Sequence, residues 1–96
     1  MNKIKKIIYK SHLDKYFKLT SKAFRVAKEA VDKKKEKQAS TILDMASRYL
    51  DDAKYFKDKG YFVNAFAALN YAHGWLDAGS KLGIFKVKDT QLFVVK

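Results

Sequence analysis

The chain has 96 residues and no cysteine, which leaves room for one domain and excludes disulfides, thiolate metal sites and cysteine nucleophiles. Apolar residues make up 48%, ordinary for a globular protein, so the formal net charge of +11 does not mark a disordered chain. No apolar stretch approaches the ~20 residues a membrane span needs, and the cysteine-free composition suits a cytoplasmic protein.

The first ten residues, Met1 to Lys10, mix lysines with Ile4, Ile7 and Ile8 and lack the continuous apolar core of a signal peptide. From Leu13 the residues Leu13, Phe17, Thr20, Phe24, Ala27 and Val31 recur at steps of three and four. That spacing predicts an amphipathic helix over 11–33, with Ser11 as its cap and Asp14 in the favourable first turn. Lys15, Lys18, Lys22, Arg25, Lys28 and Glu29 occupy the rest of its surface.

Residues 1–38 hold thirteen Lys/Arg and four Asp/Glu, a surplus of nine, against a surplus of two over 39–96. The asymmetry raises the prospect of an anionic partner. Nineteen of the twenty-one basic residues are lysine, however, and base recognition favours the planar arginine fork. A solvated surface is therefore the leading reading of the charge. The polar run Lys33, Lys34, Lys35, Glu36, Lys37 and Gln38 predicts a turn near 33–38. Its lysines, Lys33, Lys34, Lys35 and Lys37, are candidate anion contacts, ranked behind a solvated turn.

Ala39, Ile42, Leu43, Ala46, Tyr49, Leu50, Ala53 and Phe56 form a second stripe, predicting a helix over 38–59. Lys57, Lys59 and Gly60 make a good stop. A third stripe, Ala65, Ala68, Leu69, Ala72, Trp75, Leu76, Gly79 and Leu82, predicts a helix over 62–82 ended by Gly83. The short Gly60 link makes the second and third helices an antiparallel hairpin. The strip of small residues Ala65, Ala68, Ala72 and Gly79 admits close approach of a neighbour. Residues 84–96 turn β-branched and aromatic, which predicts an extended strap or a short β-hairpin covering apolar surface. The fold expected is all-α: one domain, a three-helix bundle with that C-terminal tail.

Two runs are distinctive: Tyr49-Leu50-Asp51-Asp52-Ala53-Lys54-Tyr55-Phe56 with Lys59-Gly60, and Asn70-Tyr71-Ala72-His73-Gly74-Trp75-Leu76-Asp77-Ala78-Gly79 with Leu82-Gly83-Ile84-Phe85. They closely resemble domain-of-unknown-function family 357, over residues 39–87 and in general pattern over the first helix. The resemblance implies an archaeal, intracellular helical bundle with an extended tail, and no activity.

Asn70, His73 and Asp77, spaced three and four apart, share one side of the third helix. His73 and Asp77 form the beginning of a general base, but no nucleophile lies within helical reach and the set is too small for zinc. Read structurally, they tie the third helix to a neighbour. Tyr71, Gly74, Trp75 and Gly79 read as packing residues. Gly74 is a mid-helix glycine that costs about 1 kcal/mol against alanine, with close packing ranked ahead of ligand approach as its reason. Trp75 reads as core. Tyr49, Tyr55, Phe56, Tyr61, Phe62, Phe66 and Tyr71 cluster around the hairpin and cannot all face inward; an exposed aromatic surface could stack on bases, but a protein interface ranks ahead.

No catalytic residue, metal or cofactor is expected. The leading functional reading is a non-enzymatic protein-interaction module, docking a partner or a second copy. A nucleic-acid or nucleotide-binding module using the basic first third comes next, and an enzyme centred on His73 and Asp77 last.

Overall fold

Each of the three apolar stripes folds as one helix. The structure, a computed structural model, describes residues 10–87: α1 over Lys10–Glu29, a 3-10 turn over Lys33–Lys35, α2 over Glu36–Asp58 and α3 over Phe62–Lys81. The second and third helices lie within two residues of their expected bounds, and the all-α bundle is the fold observed. Among the described residues there is no β-sheet, and no helix is long and apolar enough to cross a membrane. Residues 1–9, which include Ile4, Ile7 and Ile8, fall outside the described residues.

α3 is the central element. It packs along both other helices, whereas α1 and α2 meet over only a short stretch. Ala65, Ala68, Ala72 and Gly79 of its small-residue strip are all buried, and small contact residues permit short interaxial distances. Fourteen hydrophobic residues are buried among those described, and eight of them are alanine. The core is therefore thin and built on close backbone approach. It forms two clusters. One holds Leu13, Ala53, Ala65, Ala68 and Leu69 near the hairpin turn. The other holds Ala23, Ala27, Ala39, Ile42, Ala46 and Leu76, closed by Ile84 and Phe85. Where α1 and α2 diverge, an open groove of about 600 Å³ runs between Phe24, Val31 and Leu43, with Lys28, Glu36 and Asp44 on its rim.

Both long helices of the hairpin end in the same way. Gly60 at φ +80° and Gly83 at φ +74° adopt the left-handed conformation that glycine tolerates. The Gly60 and Tyr61 amides donate to the carbonyls of Lys57 and Phe56, and those of Gly83 and Ile84 to Ser80 and Gly79. These are the paired bonds of a Schellman cap. The second cap turns the chain so that Leu82, expected on the buried stripe, is 66% exposed.

α1 stops four residues short of its expected end because Val31 is not helical. It pairs antiparallel with Phe85 in an isolated β-bridge. The Asp32 amide donates to the Ile84 carbonyl (2.9 Å) and the Lys86 amide to the Ala30 carbonyl (2.7 Å). The Asp32 side chain then accepts from the Lys34 amide at 3.0 Å and starts the 3-10 turn. Residues 84–87 are thus an extended strap joining the end of α3 to the α1–α2 connection. Phe85, 1% exposed, lies on Gly79. The expected cover of apolar surface is met at Ile84 and Phe85. The hairpin form of the tail falls on residues outside those described.

Ser11 lies inside α1 and does not cap it. Asp14 serves packing between helices instead: its Oδ1 is 2.8 Å from Lys57 Nζ of α2. That close contact with the Lys57 ammonium holds the Asp14 carboxyl below its ordinary value, against the opposing effect of burial.

Candidate functional site

Asn70, His73, Gly74 and Asp77 follow one another along one side of α3, as spacings of three, one and three require. α1 crosses beside them and contributes Tyr16, Leu19 and Thr20. Together with Leu69 they line a half-open cleft of about 310 Å³. Tyr16 and Leu19 form its α1 wall, and the Tyr16 ring stands edge-on to Phe66 at 5.1 Å between centroids.

The cleft's polar side is organised by His73. Its Nδ1 lies 3.2 Å from the hydroxyl of Thr20, a residue 2% exposed on the otherwise apolar stripe of α1. Its Nε2 lies 3.7 Å from Asp77 Oδ1, too long for a hydrogen bond and an ion pair only when the imidazole is charged. The sequence pairs His73 with Asp77; the shorter contact runs instead to Thr20, 53 positions away. A hydroxyl buried on a helix stripe needs a polar partner, and this was the available sign that Thr20 belongs to the site. His73 is half-buried.

The distinctive run of α3 divides between inside and outside. Gly79 packs against Phe85 so closely that an added Cβ would overlap the ring. Trp75 is half-buried against the strap-end cluster. Tyr71 is not a core residue: it is 62% exposed and stacks on Tyr49 of α2 at 5.3 Å and 29°. Gly74 is not a packing glycine either. It is exposed, and among the described residues a Cβ built on it would meet nothing within 4 Å. Beyond it a second shallow depression continues past Asn70, Tyr71 and Trp75. Asn70 is exposed between the two.

The lysine run is elsewhere. Lys35 Nζ donates to the Leu82 carbonyl at 3.2 Å and helps close the end of α3. Lys33, Lys34 and Lys37 are exposed, and none of the four lines the cleft. The charges beside the cleft are those of α1. Lys15, Lys18 and Lys22 surround a hollow that shares Tyr16 and Leu19 with it.

Residues 15–85 match the family described as "Protein of unknown function (DUF357)". The chain belongs to that family. The DUF357 match begins at Lys15 and ends at Phe85, so it takes in both walls of the cleft and the strap residue that closes the core. Neither a curated protein nor a solved structure matched the chain.

Proposed function

We propose that this protein is a non-enzymatic interaction module that works in the cytoplasm through the face shared by α1 and α3. The observation that carries the reading is Gly74. A glycine in a helix interior costs about 0.5–1 kcal/mol relative to alanine. Such a cost is commonly offset by a close neighbour, as Phe85 does at Gly79, but among the described residues nothing lies within 4 Å of a Cβ built on Gly74. It lies midway between two depressions lined by Tyr16, Asn70, Tyr71, His73 and Trp75. A bare backbone there makes room for a group from outside.

Beside His73 the cleft presents Tyr16, Thr20, Asn70 and Asp77, and the Thr20 hydroxyl lies 3.2 Å from the imidazole. Such a set can orient and hydrogen-bond a docked group, which supports binding as the role of this face.

The test is retention of native partners, protein or nucleic acid, from extract of the source cells by immobilised protein. Gly74→Glu fills the open position with a charged side chain and leaves the core untouched. A variant that melts normally but loses the retained species supports the reading. One that retains the same set overturns it.

A further inference from the structure

We propose that the α1–α3 face binds single-stranded nucleic acid, with backbone phosphates along the outer ridge of α1 and one base in the His73–Gly74 cleft. The inference rests on the reading of that face as the working surface. Lys15, Lys18, Lys22 and Arg25 follow one another on α1 at steps of three, four and three. They stand on one side of the helix, all exposed. The ridge spans about 15 Å at 1.5 Å per residue. Among the described residues none of these four cations has an ion pair. Arg48 and Lys57, by contrast, are held by Asp44 and Asp14. The ridge therefore directs its charge outward.

The ridge borders a ring. Lys15, Lys18 and Lys22 share a hollow with Tyr16 and Leu19, the same pair that walls the cleft. The edge contact with Phe66 fixes the Tyr16 ring, and 42% of the residue remains exposed. A fixed, half-open aromatic ring beside a line of cations is the arrangement that single strands use, stacking a base while phosphates follow the charges. The cleft behind Tyr16 holds about 310 Å³, at the small end of ligand sites and of a size for one planar base. Its polar groups, Asn70, His73 and Asp77, offer both donors and acceptors to a base edge. An apolar anchor from a protein helix would use neither the donors nor the acceptors these side chains offer, whereas a base edge uses both. An acidic protein helix therefore fits the face less well than a strand does.

The test uses the full chain and fluorescence anisotropy with labelled oligouridylate and oligothymidylate of about a dozen nucleotides. Four phosphate contacts predict that log K falls with log salt at a slope of about −3. The double variant Lys18→Gln/Lys22→Gln should reduce that slope by about 1.4. Lys33→Gln/Lys34→Gln removes equal charge from the 3-10 turn and should leave the slope unchanged. Tyr16→Ala should weaken binding roughly 5- to 140-fold at fixed salt. Gly74→Glu, which leaves the packing of α1 on α3 intact, gives the same readout if Tyr16→Ala unfolds. Equal affinity for the two oligonucleotides indicates phosphate and stacking contacts alone, and tighter RNA binding indicates that the site also senses the 2′-hydroxyl; both support the proposal.

Equal losses in the two lysine double variants would overturn it, because binding would then be diffuse attraction to the whole basic molecule. Absence of oligonucleotide binding would overturn it, as would equally tight binding of polyglutamate, which would point to an acidic protein. If native partners are still retained and still lost in Gly74→Glu, the interaction face stands and only its assignment to nucleic acid fails.

Discussion

Two glycines, five positions apart on α3, separate packing from exposure at the scale of a single side chain. Gly79 meets the ring of Phe85, so Gly79→Ala should destabilise by about 1–3 kcal/mol through overpacking. Gly74 meets nothing among the described residues, so Gly74→Ala should stabilise by about 0.5–1 kcal/mol through helix propensity. Urea midpoints of the two variants must move in opposite directions; a shift of the same sign in both would refute the assignment. A sequence shows that both residues are glycine but not which one has a neighbour, because Phe85 reaches Gly79 only through the left-handed turn at Gly83. Thr20 was legible as a hydroxyl on an apolar stripe, whereas its partner His73, on another helix, was not. Asp14 carries a pH prediction. Its carboxyl titrates below the ordinary value of 3.8, chiefly because the Lys57 ammonium lies against it. A depressed folded value gives stability that is present above the unfolded pKa and lost as pH falls through the folded one. The stability difference between the native protein and Asp14→Asn should therefore shrink below pH 3.8. A difference that stays constant from neutral to strongly acidic pH would show that the ion pair contributes nothing.

Among the elements, α2 and α3 were readable almost to the residue. Their stops are chemical signals local in sequence, a cation followed by a glycine that can turn left-handed. The end of α1 was not readable in this way. Val31 keeps perfect helical phase with Ala27, and only the pairing with Phe85, 54 positions away, takes it out of the helix. The local hint was Asp32, whose carboxylate caps the 3-10 turn and so favours a break before the lysines. Gly60 and Gly83 punctuate one hairpin, and the strap returns to seal its open end. Phe85→Ala should cost about 3–5 kcal/mol, since Phe85 is the largest fully buried side chain described. Ala72→Leu should cost about 1–3 kcal/mol, because Ala72 is fully buried in the strip where α3 meets its neighbours. Thermal or urea unfolding that left either variant unchanged would show that these contacts are loose.

The bundle as a whole is a central helix with two flanking helices that hardly touch each other. The stripes made its class legible in the sequence. Its asymmetry was not, because a stripe shows that a face is buried but not against which neighbour. The candidate site was legible on α3, through Asn70, His73 and Asp77, and not on α1. There the lysines look like any solvated face until Tyr16 and Leu19 are seen to wall a cleft.

The division of the core into two clusters has a thermodynamic consequence. The cluster around Leu13, Ala53 and Leu69 draws its members from the helices alone. The other needs Ile84 and Phe85 from the strap. Stability need not be uniform along such a molecule, and contiguous parts can open as separate cooperative units. Release of the strap should expose the ends of α1 and α3 and the start of α2 while the Gly60 end stays closed. In native-state hydrogen exchange, the amides of Ala27, Ile42 and Gly79 should then share one opening free energy, lower than that of Leu50, Ala53 and Leu69. A single common value for both groups would mean that the two clusters unfold together. With separate openings, the strap end is a reversible latch: it can yield while the hairpin end, where Leu69 and Tyr16 enter the cleft, remains folded.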